Sequence, residues 1–252
     1  MDVRGVFFDL YGTLLAYGDM RAAWDAWLDA FQASLGRHGL AQSREAFAMR
    51  CHRFFERAEP PALGNGLTVF ERRIQVLCNE LGLGVEANAL PAIAADSAAA
   101  WQRYVRPDPE SRPVLQALRR RYRLALISNF DHPPHVHRVL AECGLGDAFD
   151  VIIVSAEVGV KKPDPEIFRI ALERTGLEPG RVIHVGDTDE DVHGAVRAGI
   201  RPILIQRDGE NAPDQPFDFH AEDAKRRVPT SRATHGIPVV VRLSDIPALL
   251  EG

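Results

Sequence analysis

The pattern of apolar positions begins with a short extended segment that ends in a carboxylate. An apolar run from Val3 to Phe8 stops at Asp9, and a Gly-Thr turn follows at residues 12–13. An apolar run of this length, bounded by a turn, predicts a buried β-strand. Ligand sites of open α/β sheets lie outside the carboxyl ends of their strands, so Asp9 is placed for chemistry rather than for packing.

Residues 17–106 show a different period, because their apolar positions recur at helical spacing. Four helices are predicted, separated by breakers that include Pro60-Pro61 and Gly64-Asn65-Gly66. Their apolar positions are Trp24, Trp27, Leu28, Phe31 and Leu35; Phe47, Cys51, Phe54 and Phe55; Leu67, Phe70, Ile74, Leu77 and Leu81; and a weaker series from Leu90 to Tyr104. We interpret this segment as a helical insert whose aromatic residues form its packing core.

From residue 107 onward, predicted strands alternate with predicted helices. The strands lie near 123–127, 151–154, 181–185, 202–205 and 238–241, and the helices near 111–121, 134–143, 164–175 and 189–198, with a short last helix from 244. This alternation indicates an α/β fold with a Rossmann-like, doubly wound parallel sheet. The predicted organisation is a discontinuous core domain, 1–16 and 107–252, and an inserted helical-bundle cap, 17–106. The polar stretch 208–236 is predicted to be a long surface loop.

Composition narrows the class of protein. The chain has 252 residues, of which 46% are hydrophobic and 26% charged, which is typical of a soluble globular protein. Acidic residues exceed basic ones by 35 to 30. The run Arg119-Arg120-Arg121 is explained by a solvated helix end, and no dense basic patch appears along the chain. The sequence therefore gives no support to nucleic-acid binding.

Cysteine usage and hydropathy set expectations for the compartment. The three cysteines form no CxxC pair, so neither a zinc site nor a disulfide framework is predicted. No run reaches about 18 unbroken apolar residues, so no membrane span is predicted. The first strand begins at the N-terminus and leaves no room for a signal peptide, so we expect a cytoplasmic protein.

Polar residues follow four of the predicted strands. Asp9 follows the first, Ser128-Asn129 the second, Lys161-Lys162-Pro163 the third and Gly186-Asp187 the fourth. Each could have a purely structural role as a cap or a surface charge. Because carboxyl ends of parallel strands meet at one edge, we expect the four to form one site. Lysine is rare here, at three of 30 basic residues, which favours a specific role for one of the adjacent pair.

Together these four motifs resemble the haloacid dehalogenase-like (HAD) hydrolase superfamily, in its branch with a helical C1-type cap (subfamily IA-like). The motifs, in family order, are Phe-Phe-Asp-Leu-Tyr-Gly-Thr-Leu from residue 7, Ile-Ser-Asn from 127, Val-Gly-Val-Lys-Lys-Pro-Asp-Pro from 158 and Val-Gly-Asp-Thr-Asp-Glu-Asp-Val from 185. The resemblance covers residues 1–205 and 237–252. It implies the fold already inferred from the pattern.

The resemblance also implies roles for individual residues. Asp9 would be the nucleophile that forms a covalent aspartyl intermediate, and Lys162 would neutralise its charge and that of the substrate. The transferred group would be bound by Thr13, Ser128, Asn129 and Lys162. A Mg²⁺ cofactor would be held by Asp9, the backbone carbonyl of Tyr11, Asp187 and Asp191, the last directly or through water. These are ligand types that Mg²⁺ prefers.

Tyr11 departs from the phosphatases of this superfamily, which usually carry a second aspartate at that position as general acid and base. A phenol with a pKa near 10 replaces it poorly at neutral pH, so Tyr11 favours haloacid dehalogenase chemistry, where the departing halide needs no proton. Asp187 and Asp191 favour the phosphatases instead, since dehalogenases need no metal. Two dehalogenase positions are also unmatched: Phe168 stands for a tyrosine and Leu40 for a cap arginine.

We therefore expect a Mg²⁺-dependent hydrolase of phosphate monoesters, with 2-haloacid dehalogenation as the alternative. A second alternative is a catalytically weak protein that binds phosphate esters. The branch that cleaves C–P bonds through a cap lysine is set aside, because residues 17–106 contain no lysine. The expected partner is a small organic phosphate, not a nucleic acid or a membrane, and the expected assembly is a monomer or a homodimer.

Overall fold

A parallel six-stranded sheet is the centre of the structure, a computed structural model that describes residues 2–62, 64–207 and 236–251. The strands are β1 (Gly5–Phe8), β2 (Leu15–Tyr17), β3 (Val105–Pro107), β4 (Arg123–Ser128), β5 (Val151–Val154), β6 (Val182–Gly186), β7 (Arg201–Ile205) and β8 (Val239–Val240). The sheet has the order β5-β4-β1-β6-β7-β8, and every neighbouring pair is parallel. The α/β, doubly wound fold predicted from the sequence is confirmed.

The described residues divide into two units. The first contains 2–17, 106–207 and 236–251, and the second contains 18–62 and 64–105. The helices are α1 (Met20–Gly36), α2 (Arg44–Cys51), α3 (Val69–Glu80), α4 (Leu90–Gln102), α5 (Ser111–Leu118), α6 (Pro133–Glu142), α7 (Ser155–Val158), α8 (Pro165–Thr175), α9 (Asp189–Arg197) and α10 (Ile246–Glu251). Within the described residues, every helix is too short or too polar to cross a bilayer.

Burial explains why the central strands are almost entirely apolar. All four residues of β1 are buried, as expected for a parallel strand covered on both faces. On one face, Phe7 of β1 and Ile127 of β4 share a buried cluster with Phe168 of α8 and Ala195 of α9. These contacts fix α8 and α9 against the sheet, so the loops that precede the two helices are held at one edge of it.

Strand order also determines where the polar loops meet. From β1 the chain proceeds outward to β4 and β5, and then returns to β6 beside β1 before it continues to β7 and β8. The direction of winding therefore reverses between β1 and β6. Residues that follow these two strands lie next to each other at the carboxyl edge, where ligand sites of such sheets form.

The second unit is a helical bundle with an aromatic core. Helix α1 packs along α4, and α3 begins with a capping box in which Thr68 and Glu71 bond each other's backbone N–H groups. The buried aromatic residues of this bundle are Trp27, Phe31, Phe47, Phe54, Phe70 and Trp101. Their burial agrees with the interpretation of the aromatic residues of this segment as its packing core.

Several elements differ from the pattern in the sequence. The strands β2 and β3 pair with each other, and neither they nor the one-turn helix α7 were predicted, because elements this short leave no periodic signal. Helix α5 ends at Leu118 rather than near 121. The long surface loop predicted over 208–236 lies outside the described residues, apart from Gly236.

Candidate active site

Asp9 lies directly after β1 and is buried, with only 5% of its surface exposed. Its backbone N–H donates to the carbonyl of Val185 in the neighbouring strand β6, at 2.9 Å. The Lys162 ammonium donates to Asp9 Oδ1 at 2.5 Å. The other oxygen, Oδ2, is buried and has no hydrogen-bond partner among the described residues. Asp9 therefore has one oxygen held by a cation and a second oxygen whose lone pairs are uncommitted.

Lys162 bridges two carboxylates. Its Nζ also donates to Asp191 Oδ1 at 2.7 Å, and the lysine is itself buried. Burial alone would lower the pKa of Lys162, but the adjacent Asp191 and Asp9 carboxylates outweigh that effect and raise it. The ammonium therefore stays charged and offsets negative charge inside the site.

Asn129 fixes the backbone that carries Lys162. Its side-chain oxygen accepts from the Lys162 backbone N–H at 2.8 Å, and its side-chain nitrogen donates to the Lys162 carbonyl at 2.9 Å. The same nitrogen also donates to Glu190 at 3.2 Å. The Asn129 amide, which was predicted to bind substrate, is thus hydrogen-bonded to the protein backbone. It links the loop after β4 to the loop that precedes α8.

Three carboxylates gather at the carboxyl edge of β1 and β6. Asp9, Asp187 and Asp191 each offer an oxygen, and these oxygens lie within 4.8 Å of one another. Burial raises the pKa of Asp187 well above its usual range, and the nearby Asp9 and Asp191 charges raise it further. Burial also raises the pKa of Asp9, to about 6, although Lys162 opposes this. Three acidic groups beside a single ammonium fit a divalent cation.

Asp191 differs from the other two carboxylates because both of its oxygens are bonded to protein groups. Oδ1 accepts from Lys162 and lies 2.8 Å from His184 Nε2, while Oδ2 accepts from the hydroxyl of Thr188 at 2.6 Å. Burial would raise the pKa of Asp191, but Lys162 and His184 outweigh it and lower the pKa. This geometry makes Asp191 a support for Lys162. It favours contact with the metal through water over direct ligation by Asp191.

The remaining predicted residues lie around Asp9 and Asp187. The Ser128 hydroxyl is buried without a hydrogen-bond partner among the described residues, so it can donate to an anion. The Thr13 hydroxyl donates to Asp187 Oδ1 at 3.2 Å. Tyr11 stacks on Phe130 with ring centroids 5.0 Å apart. Burial and the Asp9 charge raise the pKa of Tyr11 well above its usual value, so its phenol stays neutral at physiological pH.

Sequence reasoning missed three residues that support this arrangement. Thr188 forms a capping box with Asp191 at the start of α9, a pattern visible in the sequence as Thr followed three residues later by an acid. His184 is buried in β6, and its strand position gives no sign of its bond to Asp191. Arg207 gave no signal at all, since its partners lie far away in sequence.

Arg207 holds the loop that follows the nucleophile. Its guanidinium donates to the carbonyl of Gly12, to the carbonyl of Thr13 at 2.5 Å and to the Asp108 carboxylate at 2.8 Å. The backbone N–H of Asp108 in turn donates to the Leu14 carbonyl at 3.0 Å. One arginine at the end of β7 thereby ties two distant segments to the loop that contains Thr13.

Replacing Arg207 with alanine is expected to destabilise the fold by about 1–3 kcal/mol, because carbonyls that accept from the guanidinium lose their donor. Urea unfolding of Arg207→Ala, compared with Arg197→Ala at the exposed end of α9, measures this. Equal free energies of unfolding for the two variants would show that Arg207 does not secure the loop.

Gly12 must be glycine because of Asp187. Its φ is +91°, and a Cβ at this position would lie 2.1 Å from Asp187 Oδ2. Because Asp187 is one of the carboxylates expected to hold Mg²⁺, we expect Gly12→Ala to displace it and weaken Mg²⁺ binding by about 10–100-fold. Gly39→Ala is the matched control, because Gly39 has a φ of +95° with no atom near its Cβ position. Mg²⁺ titration calorimetry that gives the same affinity for both variants would contradict this account.

Comparison with known proteins places the chain among hydrolases. A family model described as haloacid dehalogenase-like hydrolase matches residues 3–199. The phosphoserine phosphatase of Thermus thermophilus is 37% identical over 139 residues, 51% of this chain and 55% of that protein. The chain spans about half the length of this and several other curated relatives that it matches.

Two further proteins match this chain over most of their length. The (S)-2-haloacid dehalogenase of Pseudomonas sp. strain YL is 28% identical over 214 residues, 82% of this chain and 84% of that protein. The crystal structure of a HAD phosphatase from Thermococcus onnurineus superposes with a TM-score of 0.64 at 22% identity, covering 99% of both chains. At this identity the structural match shows the fold alone.

Proposed function

The chain belongs to the haloacid dehalogenase-like hydrolase family, and we propose that it hydrolyses phosphate monoesters in a Mg²⁺-dependent reaction with Asp9 as the nucleophile. The observation that carries this proposal is the position of Asp187 beside Asp9. Their oxygens belong to a group of three carboxylates within 4.8 Å, with Lys162 bonded to the other two members and not to Asp187. A dehalogenase that needs no cation has no use for this additional acid beside its nucleophile.

Asp9 Oδ2 is the oxygen proposed to attack phosphorus. The Asp9–phosphorus bond forms while the bond from phosphorus to the leaving-group oxygen breaks, which produces an aspartyl phosphate and the oxyanion of the leaving group, which then takes a proton from water. Water then attacks the phosphorus, releases phosphate and restores the carboxylate. A carboxylate nucleophile divides one difficult step into two easier ones. Oδ2 suits this role because it is buried and unpartnered among the described residues.

Other residues bind and neutralise the transferred group. Lys162 holds Asp9 Oδ1 and adds positive charge next to the incoming phosphoryl oxygens. The Ser128 hydroxyl is available as a donor to one of those oxygens. Thr13, whose hydroxyl donates to Asp187, is proposed to bind the same phosphoryl group. Mg²⁺, when held by Asp9, Asp187 and the Tyr11 carbonyl, would supply charge neutralisation to the phosphoryl group.

Tyr11 limits which esters react quickly. Its phenol stays neutral and stacks on Phe130, so it is a much weaker acid than a carboxylic acid at the same position. Loss of a general acid typically costs about 10²–10⁴-fold in rate. We therefore propose that the preferred substrates are organic phosphates whose leaving group departs without protonation.

Dehalogenation of 2-haloacids is the second candidate, and Tyr11 is the observation that favours it. In that reaction Asp9 would attack the carbon that carries the halogen, halide would depart without a proton, and water would hydrolyse the resulting ester. The chain is similar over most of its length to a protein named (S)-2-haloacid dehalogenase. The three carboxylates at the site favour the phosphatase over this candidate.

A paired assay on the purified protein tests the proposal. One arm follows phosphate release from p-nitrophenyl phosphate in Mg²⁺ and in EDTA, and the other follows halide release from L-2-chloropropionate under the same two conditions. We expect phosphate release that EDTA abolishes. Halide release that is indifferent to EDTA, without phosphate release, would assign the protein to the dehalogenases instead.

A further inference from the structure

A buried histidine in the central sheet contacts the carboxylate that holds Lys162. His184 is the third residue of β6, and none of its surface is exposed. Its Nε2 lies 2.8 Å from Asp191 Oδ1, the oxygen that also accepts from the Lys162 ammonium at 2.7 Å. The ammonium in turn donates to Asp9 Oδ1 at 2.5 Å. These side chains therefore form one continuous series of hydrogen bonds from inside the sheet to the proposed nucleophile.

The bond between His184 and Asp191 needs a proton on the histidine. A carboxylate in contact with an ammonium is ionised, so it accepts hydrogen bonds and has none to donate. Asp191 Oδ1 therefore accepts from the Nε2–H of the imidazole as well as from Lys162. The other oxygen, Oδ2, accepts from the Thr188 hydroxyl at 2.6 Å and from the Thr188 backbone N–H at 3.2 Å. Donors on both oxygens thus hold the Asp191 carboxylate in one place.

Lys162 lies between this fixed carboxylate and the carboxylate proposed to react. An ammonium has three N–H donors, and Asp9 and Asp191 accept two of them. The third donor is the one that can bind an oxygen of the transferred group. Lysine has a flexible stem that does not orient the ammonium by itself. The position of Asp191 therefore sets the direction in which Lys162 presents its remaining donor.

Packing alone does not explain a histidine at this position. The imidazole packs edge-on against the ring of Phe168 in α8, with centroids 4.9 Å apart and planes at 86°. A phenylalanine ring could make the same contact. The neighbouring positions in the sheet are Phe7 of β1 and Pro202 of β7, so the surroundings are apolar. Burying a polar ring there costs free energy, and the bond to Asp191 offsets this cost.

We propose that His184 is a positioning residue for the hydrolytic reaction, acting through Asp191 on the Lys162 ammonium. This inference rests on the proposed function, because it uses the roles assigned there to Asp9 and Lys162. Without the Nε2–H donor, Asp191 Oδ1 attracts the ammonium more strongly, and Lys162 moves away from Asp9. Charged groups placed at the reacting atoms act on the transition state, so the loss should appear in kcat more than in KM.

Two substitutions at position 184 separate the hydrogen bond from the packing. His184→Phe keeps a ring against Phe168 and removes the donor, whereas His184→Gln removes the ring and keeps an amide N–H at a similar reach. In p-nitrophenyl phosphate hydrolysis with Mg²⁺, we expect kcat to fall about 10–100-fold in His184→Phe with little change in KM. His184→Gln should lose much less. His193→Phe, the same substitution at an exposed histidine of α9, is the matched control.

The comparison of the two variants decides whether the bond or the packing matters. Equal kcat for the wild type and His184→Phe overturns the proposal. A loss in His184→Gln as large as that in His184→Phe also overturns it, because the role of the imidazole would then be packing. If the wild type releases no phosphate, the proposed function fails, and halide release from L-2-chloropropionate by the same variants tests His184 separately, since Asp9 would be the nucleophile there too.

Nitrogen NMR of the imidazole tests the hydrogen bond itself without any turnover. In protein with isotope-labelled histidine, the signals that disappear in His184→Gln identify this ring. We expect a proton on Nε2 of His184 in the wild type. An Nε2 without a proton cannot donate to Asp191, and this result would overturn the proposal even if His184→Phe does not fold.

Discussion

Replacing Asp9 with asparagine is expected to lower kcat by about 10⁴-fold or more, whichever substrate the protein hydrolyses. The amide has almost the same shape as the carboxylate and its oxygen can still accept from Lys162. It cannot attack phosphorus or carbon, because its oxygen is a far weaker nucleophile than a carboxylate oxygen. The loss should therefore appear in turnover, with little change in the free energy of unfolding.

Asp147→Asn is the control for this prediction, since Asp147 is an exposed aspartate in a short turn before β5. Steady-state kinetics and urea unfolding of both variants complete the comparison. Full turnover by Asp9→Asn would exclude a covalent intermediate on this residue, for phosphate esters and for haloacids alike.

Replacing Lys162 with methionine is the second large effect, and we expect it in both activity and stability. Methionine has a similar length but leaves the buried carboxylates of Asp9 and Asp191 without their shared cation. Removing one partner of a buried ion pair typically costs about 3–5 kcal/mol. We expect a loss of stability in that range at neutral pH and turnover reduced to background, measured by urea unfolding and by phosphate release.

Lys161→Met provides a matched control one residue away, because Lys161 is exposed whereas Lys162 is buried. A second change, Asp191→Asn in the Lys162→Met background, should recover part of the lost stability by removing one of the stranded charges. If Lys162→Met and Lys161→Met have the same free energy of unfolding, the ion pairs of Lys162 with Asp9 and Asp191 do not stabilise the fold as described.

The sequence determined much of the fold because the strands are short apolar runs bounded by turns. The run that ends at Asp9 became β1, and the run that ends at Gly186 became its neighbour β6. Since both strands are parallel, the residues that follow them had to meet at one edge. The proximity of Asp9 and Asp187 could therefore be predicted without any knowledge of side-chain geometry.

The finer structure of the site depends on side-chain contacts that no periodicity encodes. Asn129 was expected to face substrate, yet its amide is placed on the Lys162 backbone. Asp191 was expected to hold the metal directly or through water, and nothing in the sequence indicated that both its oxygens bond to protein groups. Arg207 reaches carbonyls nearly two hundred positions earlier in the chain. Such contacts follow from which side chains the fold brings together, so they emerge only in three dimensions.

The same reason explains why arginines gather at the opposite edge of the sheet, where β1, β4 and β6 start. Arg4 and Arg181 are isolated in sequence, and Arg123 lies two residues after the run 119–121; each is exposed near the start of its strand. Parallel pairing aligns the starts of β1, β4 and β6, and this alignment concentrates their charge. The carboxyl edge of the sheet gathers acids by the same geometry.

The most direct test of the central claim is to look for the covalent intermediate on Asp9. The protein is mixed with p-nitrophenyl phosphate in Mg²⁺, quenched in acid and digested, and the peptide that contains Asp9 is examined by mass spectrometry. The account predicts a mass increase of one phosphoryl group on that peptide, absent in EDTA. Metal-independent esterification of Asp9 by a 2-haloacid, with no phosphoryl adduct from the phosphate ester, would contradict it.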